Sequence, residues 1–263
     1  MTIIVTGCTG AVGGAAVRML REQGHTVIGT TRREPKEGER WLDLGSIESI
    51  IEFVEQLKAD GIKVDALLNN AGTMERSFAL NSDGFERVIG TNYIGTYLLS
   101  RLMIEAMGHS LRIVNTISLS CYISRFDKNF FDVDAQNYSQ VGTYANSKYA
   151  VMLFSQELAR RTGNPVNMTD PGIVNSRILH MDRWFDPLAD LFFRPLCKNA
   201  EGGATPAVNA LTSNCTMQIF RGTRHTAVPT RWQQPELAAW LWDETERRIN
   251  DGRRRALAGD RCR

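Results

Sequence analysis

Tyr144 and Lys148 stand four positions apart in the run Tyr144-Ala145-Asn146-Ser147-Lys148. On a helix that spacing sets a phenol and an ammonium on one face. A free phenol has a pKa of about 10 and shuttles protons poorly at neutral pH. A neighbouring ammonium favours the phenolate and pulls that value down, which makes acid–base catalysis feasible near neutrality. An exposed Tyr/Lys face is also a common accident of helical spacing, so the pair gains meaning only from what accompanies it.

The first companion is a turn. After a strand-like opening the chain reads Thr6-Gly7-Cys8-Thr9-Gly10-Ala11-Val12-Gly13. Glycines at 7, 10 and 13 allow a tight turn, close backbone approach to a pyrophosphate, and close packing of helix on strand. A strand before the trio and a helix after it raise its meaning. A glycine-rich βα turn with no ligand is the competing reading. The second strand ends in Thr30-Thr31-Arg32-Arg33. A site for NAD would place Asp or Glu here to hold the ribose 2′-OH, whereas guanidinium forks suit a 2′-phosphate. The expected cofactor is therefore NADP(H) in preference to NAD(H), with Arg32 and Arg33 on the phosphate.

Asp43-Leu44 ends the third strand, where the carboxylate can accept from an adenine amino group or, equally well, cap the next helix. Asn69-Asn70-Ala71-Gly72 follows the fourth strand. Small residues let such a loop pass beneath a cofactor, and Asn side chains satisfy turn backbone. Ser118 ends the fifth strand, on the edge where parallel sheets bind ligands, and its hydroxyl can donate to a substrate carbonyl. Ser120 competes for that role. Together these residues describe a hydride-transfer site, with a phenol exchanging a proton with an oxygen while a nicotinamide exchanges hydride.

The elements that must position them follow from periodicity. Strands are expected at Thr2–Thr6, Thr26–Thr30, Trp41–Leu44, Val64–Leu68, Leu111–Ile117, Val166–Thr169 and Thr216–Phe220. Helices are expected at Ala11–Glu22 with a glycine stop, after the Ser46 cap, at Ser82–Met107, Gly142–Thr162, Glu201–Leu211 and Pro235–Ile249. Strands alternating with helices imply an α/β, doubly wound sheet of about seven mostly parallel strands between two helical layers. The connection from the second strand to the third is too short for the ~30-residue βαβ unit, so one crossover helix is missing or reduced to a turn. Residues 1–250 read as one domain, with 251–263 as a basic tail.

The chain has 263 residues and is 43% apolar, enough for a sizeable core. A net charge of +2 gives no reason to expect nucleic acid. The cysteines Cys8, Cys121, Cys197, Cys215 and Cys262 are scattered and odd in number, which fits reduced thiols in the cytoplasm and neither a disulfide framework nor a metal site. No run approaches the ~18 apolar residues of a membrane span.

Taken in order, Thr6-Gly7…Gly13, Asn69-Asn70-Ala71-Gly72, Asn92-x-x-Gly95, Ser118, Tyr144-x-x-x-Lys148 and Pro171-Gly172 resemble the short-chain dehydrogenase/reductase family along nearly the whole chain. Ile113-Val114-Asn115, the run Phe154–Arg160 and Arg194-Pro195-Leu196 are similar to its retinol-dehydrogenase-like branch. The resemblance implies roles. Tyr144 would be the general acid for carbonyl reduction and the base for alcohol oxidation. Lys148 would hold the nicotinamide ribose and lower the Tyr144 pKa. Ser118 would orient the substrate oxygen. Asn92 would kink its helix and hold a water that relays protons to Lys148. Pro171, Gly172 and Val174 would line the nicotinamide amide, with Ser176 near the pyrophosphate. A homodimer or homotetramer would form through the helix pair beginning near Ser82 and Gly142, with Tyr149, Met152, Leu153 and Gln156 facing a partner.

The chain departs from the family pattern in several places. Ala11 stands where this Tyr/Lys branch has glycine, and the glycine spacing is similar to an epimerase-type branch. Twenty-five residues lie between Ser118 and Tyr144, and the added segment, 126–141 with Phe126, Phe130, Phe131 and Tyr138, is expected to border the substrate. Asp170 precedes Pro171 where the family has Asn or His. The segment around 176–199 corresponds to the family's substrate lid; its aromatic and aliphatic residues suit a small lipophilic carbonyl or alcohol. An epimerase or dehydratase leaves too little chain after the sixth strand for a sugar-nucleotide domain. A catalytically silent NADP-binding regulator would not need the Ser118/Tyr144/Lys148 set.

Overall fold

The computed structural model describes residues 1–174 and 198–259, with side chains through Asp251. Eight strands form one sheet in the order β3-β2-β1-β4-β5-β6-β7-β8. They are β1 (Thr2–Thr6), β2 (Thr26–Thr31), β3 (Glu39–Trp41), β4 (Ala66–Asn69), β5 (Arg112–Thr116), β6 (Val166–Asp170), β7 (Gln218–Arg221) and β8 (Arg224–Ala227). Every neighbouring pair is parallel except β7 with β8. The order turns back between β1 and β4, which opens a crevice at the carboxyl ends of those strands. β1 and β4 read Thr-Ile-Ile-Val-Thr and Ala-Leu-Leu-Asn, near-continuous apolar runs because helices cover both faces.

On one face lie α1 (Ala11–Glu22) and α5 (Ala200–Thr212), which meet through small residues such as Ala15, Ala16, Ala204 and Ala207. On the other lie α2 (Ile47–Ala59), α3 (Gly95–Met107), α4 (Gln140–Thr162) and the terminal α6 (Pro235–Gly259), around the larger core. Ser46 caps α2 by accepting from the Ser49 N–H at 3.2 Å. Ser139 caps α4 in the same way at Gly142, and Gly163, at φ +72, ends that helix with its N–H on the Ala159 carbonyl.

Several elements differ from the sequence expectation. The long helix expected over Ser82–Met107 is broken into a helical turn at Arg87–Ile89, a π-helical turn at Gly90–Ile94, and α3. The third strand lies earlier, at Glu39–Trp41, and Leu42 and Leu44 are buried just beyond it. Between β2 and β3 there is a loop and no helix, closed by the Gly29 N–H on the Gly38 carbonyl at 3.0 Å. α6 runs on through residues expected to be a tail.

Of the four residues expected to face a partner, Tyr149, Met152 and Leu153 are buried within this chain and Gln156 is half-buried. Met152 and Leu153 are fully covered. The Tyr149 hydroxyl accepts from Gln234 at 3.0 Å, and Gln156 donates to the Trp232 carbonyl at 3.1 Å. α6 itself lies along α4, with Trp242 against Tyr97 and Phe154 at 5.0 and 6.0 Å between ring centroids. The added segment before α4 joins the same layer. Phe130 is buried and packs on Tyr93, as does the half-buried Phe131, and the half-buried Phe126 packs on Tyr149, so these rings lie on or against the core. The face is filled because the chain carries its own apolar cover for it.

Candidate active site

The glycine-rich turn joins β1 to α1. Gly7 has φ +69, a conformation that residues with side chains rarely adopt. A Cβ on Gly13 would run into the Gly7 carbonyl oxygen and sit 2.7 Å from Asn70 Nδ2, so the backbone approach the motif promised is real. Gly10 is the N-cap of α1 and has no side chain to satisfy the first-turn N–H groups, which open on the crevice. Thr6 ties this turn to the loop after β4: its Oγ1 accepts from the Asn70 and Ala71 N–H groups at 2.9 and 3.0 Å. The Asn70 side chain returns to the Thr6 carbonyl at 2.9 Å. Thr6 was legible as the last strand residue and the first of the turn motif; the tie its hydroxyl makes to the loop after β4 gave no separate signal.

One cleft of about 910 Å³ runs from this turn across the sheet edge. Its wall includes Gly7, Thr9, Gly10, Ala11, Val12 and Gly13 from the turn, Arg32 and Arg33 after β2, and Asp43 and Leu44 after β3. It continues through Asn70, Ala71 and Gly72 to Ser118, Tyr144 and Lys148, then Pro171, Gly172 and Val174. Every proposed cofactor residue within the described part of the chain is therefore in one cavity. Ser176 and the expected lid, apart from residues 198 and 199, lie outside the described residues. Thr73, Met74, Thr91, Ile117, Leu119 and Ile173 also line the cleft; all but Met74, which is two residues past Gly72, adjoin a motif residue, and that adjacency was the available signal.

The Arg32 side chain is 63% exposed and reaches to 3.9 Å from Asp43 Oδ1. Asp43 does not cap α2, since Ser46 does; its Oδ1 instead accepts from Gly45 N–H at 2.9 Å. That settles the helix-cap alternative and leaves the carboxylate on the cleft wall.

Lys148 is 4% exposed, and its Nζ donates to the Thr116 carbonyl at 3.0 Å. Burial pulls its pKa from 10.5 down to about 8. Burial also pushes Tyr144 up to about 12, opposed by hydrogen bonding with Ser118 and reinforced by Cys121 and Asp170. Lys148 was expected to pull the phenol down, but with Nζ 6.0 Å from the Tyr144 ring centroid, burial prevails. Ser118 caps the short 3-10 turn Leu119–Ile123, accepting from Ser120 N–H at 3.2 Å. Ser120 is not on the cleft wall, and its own hydroxyl oxygen is buried without a partner.

Asn92 stands behind the wall, 1% exposed, in the π turn. Its Oδ1 accepts from Thr73 N–H at 2.7 Å, and its Nδ2 donates to the Thr73 carbonyl at 2.9 Å and to Ser147 at 3.1 Å. The helix is distorted there as expected, and the amide pins the loop after β4 to the helix that carries Tyr144. A Cβ on Gly72 would meet Asn92 Oδ1 and Lys148 Nζ at 3.3 and 3.4 Å, so that loop passes close over both. Among the described residues no group of three or more His, Cys, Asp or Glu could hold a metal. No described helix is long and apolar enough to cross a membrane.

The model of the short chain dehydrogenase family matches residues 1–184. Retinol dehydrogenase 13 of Homo sapiens is 29% identical over 278 residues, covering 94% of this chain and 84% of that protein. Polyprenol dehydrogenase of Mus musculus is 32% identical over 236 residues, covering 79% of this chain and 70% of that protein. Among solved structures, an uncharacterised protein from Mycobacterium paratuberculosis superposes with a TM-score of 0.74 at 26% identity, over 95% of this chain and 93% of that one. The 3-alpha-hydroxysteroid dehydrogenase from Pseudomonas sp. B-0831, complexed with NADH, shares the fold at a TM-score of 0.62 and 22% identity, over 80% and 89% of the two chains. The chain belongs to the short-chain dehydrogenase/reductase family, in its retinol-dehydrogenase-like branch, and is an oxidoreductase of alcohols and carbonyls that uses a nicotinamide cofactor.

Proposed function

We propose that the protein is an NADP(H)-dependent reductase of lipophilic ketones or aldehydes, with Tyr144 as general acid. The observation that carries this reading is the convergence of the glycine turn, Ser118, Tyr144, Lys148 and Pro171-Gly172 on one cleft. The close approach of Gly13 to Gly7 and of Gly72 to Lys148 makes a cradle that a dinucleotide fits. The α1 N-terminus would hold the pyrophosphate, and Lys148 with Pro171, Gly172 and Val174 the nicotinamide end. A nicotinamide held there supplies hydride to the carbonyl carbon, or accepts it from the alcohol.

Tyr144 donates its phenolic proton to the carbonyl oxygen as the carbon is reduced, and Ser118 orients that oxygen. A phenol pushed up to about 12 stays protonated at neutral pH, which suits the reductive direction. Lys148 places its cation beside the phenolate that remains. Asn92 holds the loop over these groups. Arg32 and Arg33, on the wall with no acid at the end of β2, favour a 2′-phosphate, with Asp43 3.9 Å from Arg32 at the end of the neighbouring strand. Leu119 and Ile173 on the wall, and Tyr122 and Ile123 close by, are exposed apolar groups that suit a lipophilic substrate. The free thiols of Cys8, Cys121 and Cys215 support a cytoplasmic location. α6 fills the α4 face, so self-association uses another surface.

The test is NADPH oxidation, with NADH alongside, against a panel of lipophilic ketones and aldehydes. Tyr144→Phe is expected to lose at least ~10²-fold in turnover while keeping NADPH affinity. Wild-type rates in that variant would remove Tyr144 from the chemistry. Arg32→Ala with Arg33→Ala is expected to weaken NADPH by about tenfold or more and NADH far less. Equal losses for the two cofactors would withdraw the phosphate assignment.

A further inference from the structure

Asp170, the last residue of β6, is 2% exposed. Its Oδ1 accepts from the Gly172 N–H at 2.9 Å, and its Oδ2 accepts from Arg221 Nε at 3.2 Å. Arg221 is the last residue of β7, in register with Asp170. The pair therefore bridges two strand ends at the edge of the sheet that carries the cleft. Gly172, the residue it holds, has φ +73 and lies on the cleft wall. The guanidinium also lies 5.8 Å from the centroid of the Tyr122 ring, on the short turn that Ser118 caps.

As a device for stability the pair is poor. It makes one contact of moderate length where a guanidinium can make two, and Arg221 Nη2 is buried without an acceptor. A buried ion pair with imperfect satisfaction is commonly no better than an apolar replacement. What the geometry does well is hold things still. One carboxylate oxygen fixes the backbone of the Pro171-Gly172 turn, and the other is fixed in its turn by β7. The same carboxylate stands within electrostatic reach of Tyr144 and Cys121, raising both, while Arg221 acts on Cys121 in the opposite sense. Among the described residues, the titratable and charged groups that face this corner are Lys148 on the helix of Tyr144, Cys121 on the turn after β5, Asp170 with its partner Arg221, and Lys198, whose Nζ would lie 3.3 Å from a Cβ on Gly172.

We propose that the buried Asp170–Arg221 pair is a positioning device of the hydride-transfer site: it fixes the Pro171-Gly172 turn and holds a carboxylate, itself held by Arg221, at the sheet edge that carries Tyr144. The proposal rests on the reading of Tyr144 and of the nicotinamide end of the cleft given above. Asp170 touches neither substrate nor cofactor; it acts through the turn and through its charge. Asp170→Asn keeps an oxygen for Gly172 and removes the negative charge. Arg221→Gln removes the positive charge, and Asp170→Ala removes the hold on the turn.

The experiment has two readouts that need no turnover. The first is the alkaline titration of the Tyr144 phenol, taken as the ultraviolet difference between each protein and the same protein carrying Tyr144→Phe. The midpoint is expected to move down in Asp170→Asn and up in Arg221→Gln, which leaves the Asp170 charge without its counter-ion. Each shift is on the order of one pH unit, the effect of a single nearby charge. The second is NADPH affinity by fluorescence, expected to fall about tenfold in Asp170→Ala, the loss of one charge-assisted hydrogen bond. The pH profile of alcohol oxidation should follow the first readout. A loss of melting temperature with no movement of the midpoint, or shifts of the same sign in the two charge variants, would show a structural pair and overturn the proposal. If Asp170→Ala does not fold, Arg221→Gln, at a half-buried position, still decides the sign. Activity surviving in Tyr144→Phe would sink the acid assignment and leave this titration test standing.

Discussion

Lys148 carries an ammonium into the interior with the Thr116 carbonyl at 3.0 Å. Its pKa falls from 10.5 to about 8 on burial, so the protonated form costs the folded state about 3 kcal/mol. The sign follows from which state holds the proton. Between about 8 and 10.5 the unfolded chain is protonated and the folded one is losing its proton, so the penalty is full below that window and gone above it. Lys148→Met is therefore expected to stabilise the protein at neutral pH by about 1–3 kcal/mol, with the gain fading as pH rises through the window. The same variant should lose at least ~10²-fold in turnover. Urea melts at neutral and alkaline pH check this; a gain independent of pH would mean that packing, and not charge, was responsible. The convergence of Tyr144, Lys148 and Ser118 on one cleft was legible because residue types, their spacing and their places at strand and helix ends reveal which groups meet. The direction of the Tyr144 shift was not, because burial depends on what the rest of the chain lays over the phenol.

At the scale of elements, the parts that sequence showed well are those with strong periodicity or strong punctuation. β1, α1 and α4 are bounded by glycines and capping side chains, and α1 and α4 begin and end within about two residues of expectation. The parts that sequence hid are those decided by partners far along the chain. Asn81 folds the stretch before α3 by accepting from Asp83 and Phe85 and donating to the Gly45 carbonyl. Glu86 then starts a helical turn by accepting from the Val88 and Ile89 N–H groups, so the helix cannot begin at Ser82. The π turn after it has no compositional mark; it places Asn92 between Thr73 and Ser147. β8 is exposed throughout and reads Arg-His-Thr-Ala, without apolar alternation. It exists because Gly222, at φ +57, turns the chain back antiparallel on β7. The minimal link between β2 and β3 was visible, since chain length alone excluded a crossover helix.

Across the whole molecule, the covering of α3 and α4 by the terminal helix is the largest departure from expectation. Tyr93 Oη meets Thr245 at 2.7 Å, Tyr97 Oη donates to Glu246 at 2.5 Å, and Arg101 pairs with Glu246. Trp242 is buried between Tyr97 and Phe154, with the Arg101 and Arg161 guanidinium groups 4.9 and 4.8 Å from its ring centroid. Trp242→Ala is expected to cost about 3–5 kcal/mol, a large share of the stability of a domain of this size. Thermal melts with light scattering would check it; an unchanged melting temperature would show that α6 is an ornament and not part of the core. The amphipathic pattern of α6 was readable, but not the surface it would choose, because a partner copy and the chain's own end offer the same apolar chemistry. That choice has a consequence on the ribosome. The strands and helices of the cofactor half are synthesised first, yet the aromatic flank of α3 and α4 stays bare until the final helix emerges. For that interval the nascent chain presents a hydrophobic strip that chaperones can hold, and a message broken before that helix would yield a chain marked for destruction by the strip it cannot cover.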